Sequence, residues 1–432
     1  MRLGKLASVL CLATGAVVAQ DLAPDVLLLS HIKSYLRYEF AHLPNYTCLE
    51  TISRFQRQVT PGSKFQPLDT VRLEIAYSDR HEWYGWPGDR TLSVDNPASL
   101  AGGAGLMANG IFATTLHNLF LADAATFTSR GEAVIDGHKA VKFDYRFPAG
   151  SIIARISLFG GRGAVNEEGS FWIDPHSLDL LRLDGRVTEI PPFLPLEKMD
   201  YTVVYARTRI GEFDALLAQY ADLHMIQTTG VEDYDRMDFT HCRMFHAESK
   251  LSFDTVAPEP AAAPSQATDR VAAPPESERA VPASLRVTIQ VISPITDQDP
   301  VGKLIEGRVV GAVRHKGKVI LEDGALVRGR VRRLQRYLGL DQFIVGLEFT
   351  EVQALGSPLR FYADLVSLEK WAGVQPLLRQ RVLVSNKVAS TTEITLPELP
   401  GIASFFVEGR TFELSAGLRT VWKTRALQRG EP

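Results

Sequence analysis

The chain has 432 residues, room for two or three domains, and its 45% apolar, 9% aromatic and 22% charged make-up excludes global disorder and collagen-like repetition. A net charge of −3 excludes a chain that is basic throughout, and three cysteines are too few for a disulfide-dense scaffold or a four-thiolate zinc site. Arg2 and Lys5 precede an apolar run from Leu6 to Ala19, shorter than the roughly 20 residues of a spanning helix. Val17 and Ala19 stand three and one places before Gln20, the small-residue pattern of a signal-peptidase site. A signal peptide over 1–19, cut after Ala19, and a periplasmic or secreted mature protein are therefore expected; an uncleaved anchor is the alternative. Cleavage removes Cys11 and leaves Cys48 and Cys242, for which an oxidising compartment predicts a disulfide, two buried thiols being the alternative.

A helix is predicted from Pro24 to His42, with Leu28, Ile32, Tyr35, Leu36 and Phe40 near one stripe. The period then changes to two. Val71, Leu73, Ile75 and Tyr77 alternate with Arg72, Glu74 and Ala76, Val141, Phe143, Tyr145 and Phe147 alternate with Ala140, Lys142, Asp144 and Arg146, and Asp136-Gly137 marks a hairpin turn. Further strands are expected at 152–159, 170–173, 178–190, 201–210, 215–228 and 233–245, and a second helix over 110–122. Residues 255–284 are Pro- and Ala-rich and read as a linker. It separates an acidic part, 20–254, with net charge −9, from a basic part, 285–432, with net charge +6. The second part reads as a small basic β-barrel over 285–372, with short strands and regular glycines, followed by a β extension over 373–432. The expected fold class is mainly β: an N-terminal curved antiparallel half-barrel with two helices, then the linker, then the barrel.

The stretch Gly169-Ser170-Phe171-Trp172-Ile173-Asp174-Pro175-His176-Ser177-Leu178-Asp179-Leu180-Leu181-Arg182-Leu183 resembles the LolA/LppX-type half-barrel of outer-membrane lipoprotein sorting, in which an aromatic strand, an Asp-Pro turn and a strand ending in Arg occur at a similar place. Gly317-Lys318-Val319-Ile320-Leu321-Glu322-Asp323-Gly324-Ala325-Leu326-Val327-Arg328-Gly329-Arg330-Val331 resembles the periplasmic barrel of TrbI-type conjugation channels. The first resemblance implies a concave face wide enough to hold an acyl chain or lipoprotein anchor. On that basis Trp83, Trp86, Phe112, Phe143, Tyr145 and Trp172 are the candidate cavity lining; spacing alone reads them as core.

Catalytic patterns are incomplete. Gly105 and Gly110 have P-loop spacing, but Ile111-Phe112 stands where Lys-Ser/Thr would contact phosphate. No Gly-x-Ser-x-Gly elbow occurs, and Asp174, His176 and Ser177 lie in one turn, too close in sequence for relay geometry. His241 and His246 point to opposite faces of a regular strand, so no metal is expected there, and Glu167-Glu168 reads as solvated loop charge. Arg328, Arg330 and Arg332 share one strand face, extended by Arg333 and Arg336. This patch fits an anionic polymer, a lipid headgroup or the acidic N-terminal part itself, or is a plain solvated exterior. The expectation is a non-enzymatic exported binding protein for a hydrophobic or lipid-like ligand, with no cofactor, no nucleic acid and at most peripheral membrane contact. The alternative is a cell-envelope scaffold that binds protein or anionic polymer.

Overall fold

The computed structural model describes residues 23–78, 81–89, 92, 94, 96–101, 116–121, 124–158, 161–244, 279–337, 341–371, 373–376, 382–385, 391–394 and 401–426. The expected signal peptide, Phe112, most of the second helix and nearly all of the linker lie outside the described residues.

Helix α1 (Pro24–His42) starts with Pro24 in its first turn, where a missing N–H costs nothing, and stops at Leu43, whose α conformation is disfavoured by Pro44. Eleven strands follow: β1 (Tyr46–Gln58), β2 (Gln66–Ser78), β3 (His81–Gly85), β4 (Thr126–Ile135), β5 (His138–Arg146), β6 (Ala154–Leu158), β7 (Gly161–Ile173), β8 (Leu180–Thr188), β9 (Leu196–Ile210), β10 (Phe213–Gln227) and β11 (Val231–Met244). They form one sheet in the order β3-β2-β1-β11-β10-β9-β8-β7-β5-β4, with β6 paired to β7. The turn between β4 and β5 is Asp136-Gly137, both at positive φ (49° and 81°), as a two-residue hairpin requires. Of the second helix the described part is a short π-helical turn, His117–Leu121, with Leu119 and Phe120 buried.

The sheet curls into a half-barrel. Glu82 on β3 and Tyr205 on β9 are five ladder steps apart, about 24 Å in a flat sheet, yet they interact electrostatically inside the curl. The seam of the sheet is the pair β1–β11, where its first and last long strands meet. There Cys48 and Cys242 are bonded, 194 residues apart in sequence. The bridge sits at a bulge: the register slips between Thr47 and Leu49, and His241 opposite takes φ 52°.

The second sheet has nine strands. Its ladder runs Ala363–Leu368, Arg419–Thr424, Arg286–Val291, Leu304–Val309, Leu326–Tyr337, Gln342–Ala354, Ala403–Glu408 and Val374–Pro376, with Ser357–Arg360 added beside Gln342–Ala354. It rolls around Val287, Ile289, Val327, Val331, Leu347, Phe349 and Trp422, all buried. No ladder joins the two end strands among the described residues. Strands from the expected C-terminal extension are integral to it, since Arg419–Thr424 pairs with Arg286–Val291.

The two sheets touch. Edge strand β3 covers β2 from Glu74 to Ser78, and the bare edge beyond it is taken by Val301, whose N–H donates to Thr70 O (2.8 Å) and whose O accepts from Arg72 N (3.0 Å). That contact blunts an edge that would otherwise pair with another chain.

Candidate functional site

Cross-strand register sorts the interior of the half-barrel into rows. One row is apolar: Phe143, Phe171, Leu183, Val203, Ala221, Met237, Ile52 and Val71 are successive partners across eight strands. At its β5–β7 end Phe143 stacks on Phe171 (5.3 Å between centroids), which meets Phe120 and Phe127 edge-on at 5.1 and 5.8 Å. Such geometries stabilise beyond the area they bury. Helix α1 packs over this cluster through Ile32 and Leu36, and Lys33 Nζ lies 5.0 Å from the Phe127 ring. A polar clamp holds the second half of the helix to the sheet: Arg207 pairs with Asp179 (2.7 Å) and Glu39 (2.8 Å), and Tyr35 donates to Asp179 (2.8 Å). Val26 and Leu27 in the first half stay exposed.

The rows on either side of the apolar one carry acids and tyrosines. On the loop side, Tyr145 and Tyr201 both donate to Glu167 Oε1, at 2.5 and 2.7 Å. Their rings reach it by lying across Gly169 and Gly185; a Cβ on Gly185 would stand 2.3 Å from the Tyr201 ring. On the side of the seam disulfide lie Glu50 and Tyr205, each two residues along from the apolar row, with Glu82 close by and accepting from Tyr84 (2.7 Å). Glu50 is buried, and its pKa is raised to about 8 by loss of solvent and then by the Glu82 carboxylate. Burial likewise lifts Glu167, against the two tyrosine hydrogen bonds that favour its charged form. Tyr46 and Tyr205 are pushed up by burial first and by Glu82 second.

The six candidate lining residues do not share one surface. Phe143 and Tyr145 face the interior, as expected. Trp172, directly beside Lys142 and Arg182 in the ladder, faces outward, with those cations 5.1 and 5.4 Å from its ring. Trp83 is also outward, because its neighbours Glu82 and Tyr84 point in; it packs against His81. Trp86 lies between the sheets, and Phe112 is outside the described residues. The correction has a simple cause: aromatic type says nothing of parity, and period two sends adjacent residues to opposite faces. Glu167 is a second correction. It is buried under Tyr145 and Tyr201 while Glu168, on the outer face, pairs with Arg146 and Arg186. The signal lay in the sequence, since Glu167, Gly169, Phe171 and Ile173 keep one parity. Glu50, Glu82 and Tyr205 had no such flag.

The outer face of β4, β5, β7, β8 and β9 holds a shallow groove of about 800 Å³. Its charges are paired in a ladder, Arg130 with Asp144, Arg182 with Asp184 and Lys198 with Asp200.

The arginines of Leu326–Tyr337 keep the expected parity as far as Arg332, but their face is covered by the first sheet. Arg330 pairs with Asp89 (2.9 Å), Arg332 donates to Leu100 O (3.0 Å) and pairs with Glu348, and both stand near Trp86 (5.8 and 5.2 Å to its centroid). A bulge between Val331 and Arg333 turns Arg333 inward. There it is buried beside the Arg54–Asp69 pair, and lost solvent lowers its pKa to about 10. Arg328 pairs outward with Glu306 and Glu351, and Arg336 lies near the Phe343 ring. Of the partners offered for this patch, the structure brings it to the N-terminal part of the same chain.

The sequence matches no known family and no curated protein. Solved structures similar to the chain include a DUF1329 family protein from Desulfovibrio piger, 11% identical with a TM-score of 0.31, covering 54% of this chain and 98% of that one. They also include a domain from Vibrio parahaemolyticus described as outer-membrane lipoprotein-sorting (10% identity, TM-score 0.28, 52% and 97% coverage) and a LolA superfamily protein from Nitrosomonas europaea (9%, 0.26, 52% and 95%). These names agree with the first resemblance; none is a conjugation-channel barrel. At such scores the likeness is of outline, and the chemistry of the site rests on this chain's own residues.

Proposed function

We propose that the chain is an exported, non-enzymatic binding protein that holds an amphiphilic, lipid-like ligand inside the half-barrel beneath α1. The observation that carries this reading is the Phe120, Phe127, Phe143 and Phe171 cluster, an aromatic surface covered by a helix that buries Ile32 and Leu36, packs Leu28, Leu29, Tyr35 and Phe40 beside them, and is tied down by Arg207 and by Arg37, which donates to Phe120 O (3.4 Å). A cover made of one helix can be displaced by a ligand that replaces its apolar contacts. Export is supported by the Cys48–Cys242 bridge, which an oxidising compartment maintains. The scaffold alternative loses its main surface, because Arg330, Arg332 and Arg333 are engaged within the chain.

The test is native mass spectrometry and solvent extraction of protein purified from a bacterial periplasm. Melting is then measured with a C12 fatty acid, alcohol and amine. Copurifying lipid and a rise in melting temperature with one or more amphiphiles are expected. Protein that is lipid-free and melts unchanged with all three would overturn the reading.

A further inference from the structure

We propose that the end of the half-barrel carrying Val59, Ile152 and Phe193 is a docking surface for a phospholipid bilayer with anionic head groups. This goes beyond the ligand-binding reading above and does not depend on it.

Four loops meet at that end: 59–65 between β1 and β2, 147–153 between β5 and β6, 189–195 between β8 and β9, and 228–230 between β10 and β11. Hydrogen bonds tie them into one rim. Val59 N–H donates to Gly230 O (2.8 Å), Thr228 N–H to Pro195 O (3.2 Å) and Gly150 N–H to Glu189 (3.0 Å). Asn166 Nδ2 donates to both Pro148 O (2.9 Å) and Glu189 (3.3 Å), which locks two of the loops together. Each of the three longer loops raises a large apolar side chain into solvent: Val59 is 51% exposed, Ile152 55% and Phe193 67%. Their neighbours pack inward instead, since Leu194 is buried and Ile153 lies against the core. A turn closed by Leu194 N–H to Pro191 O (3.0 Å) sets Phe193 at its tip.

Chemistry selects the partner. The four loops carry two charged residues, Lys64 and Glu189, so little charge has to leave water when the tips are covered. They are also poor in backbone donors. Pro191, Pro192 and Pro195 have no N–H, and that of Leu194 is already given to Pro191 O, which lowers the cost of contact with hydrocarbon. Behind the tips the character changes to a cationic collar. Exposed Arg146 and Arg186 share one carboxylate, Glu168, and Lys198 pairs with Asp200. Arg155 on β6 and Arg162 on β7 stand exposed against one further exposed acid, Glu197, with no ion pair among the described residues. The collar is therefore positive on a domain whose net charge is −9. Apolar tips in front and cations behind are the layering of a bilayer interface, where tips reach the acyl boundary and cations lie level with the phosphates.

The experiment is flotation of the periplasm-purified protein with vesicles of phosphatidylethanolamine and phosphatidylglycerol, and with vesicles of phosphatidylcholine alone. The protein should float with the first and less with the second. Phe193→Asp and Ile152→Asp should each lower the partition at least about tenfold, the range for withdrawing one large apolar side chain from water. Both positions are exposed, so the melting temperature should not move. Phe213→Asp is the control: Phe213 is also exposed but opens β10 at the opposite end, and its variant should float as the wild type does. In Phe193→Trp, doxyl-labelled lipid should quench emission beyond the quenching seen with the wild type. A wild type that does not float, Asp variants that float unchanged, or an equal loss in Phe213→Asp would overturn the assignment. So would a Phe193-dependent dimer in sedimentation without flotation, which gives the face to a second copy. In each of these outcomes the ligand reading stands.

Discussion

Removing the Cys48–Cys242 bridge measures how much of the first sheet's stability depends on closing its seam. β1 and β11 pair along their whole length but lie far apart in the chain, so the unfolded state must close a loop of about 194 residues before they meet. The bridge takes that loop entropy out of the unfolded ensemble, an effect of about 5 kcal/mol in the chain-entropy model, with typical losses on bridge removal of roughly 2–5 kcal/mol. For a sheet of this size the urea dependence is about 3 kcal/mol per molar. A Cys48→Ala/Cys242→Ala double variant should therefore move the midpoint of the first-sheet transition down by about 0.7 to 1.7 M urea. Substituting both residues avoids leaving a lone thiol at the buried Cys48 position. Tryptophan fluorescence reports the transition through Trp83, Trp86 and Trp172, and dithiothreitol on the native protein should reproduce the shift. A midpoint lowered by less than about 0.3 M would show that the seam is held by its ladder and side chains, and would refute the loop-closure reasoning.

Other consequences are as direct. Phe143→Ala opens a void beside Phe171 and should cost about 3–5 kcal/mol by urea denaturation; a loss under about 1 kcal/mol would mean the cluster is already loose. Glu50 binds a proton more tightly folded than unfolded, so its contribution is fully present below about pH 4.3, the unfolded value, and is lost as pH rises through about 8. Glu50→Gln should flatten that decline between pH 5 and 8, seen in paired urea midpoints; parallel curves for variant and wild type would contradict it. Arg332→Ala leaves Glu348 and the Leu100 carbonyl without their partner and should weaken the contact between the sheets by about 2–4 kcal/mol, separating two calorimetric transitions. A single unchanged transition would show that Val301 and its neighbours hold the sheets together alone.

Local pattern revealed much of the architecture. Pro24 and Pro44 bound α1, Asp136-Gly137 specifies the β4–β5 turn, and strict alternation in β5 assigns Phe143 and Tyr145 to the buried face, because each depends on a few adjacent residues and a fixed backbone geometry. The even cysteine count left one possible pairing once Cys11 was set aside. What sequence could not reveal was the occupant of each face. Parity placed Arg330 and Arg332 together, but whether water or the first sheet covered them depended on how two sheets separated by a linker meet. In the same way, Glu50, Glu82 and Tyr205 come from strands distant in the chain and meet because an eleven-stranded sheet curls on itself. Alternation is a property of neighbours, whereas burial of a charge is set by long-range closure of the whole sheet, and that closure belongs to the tertiary structure.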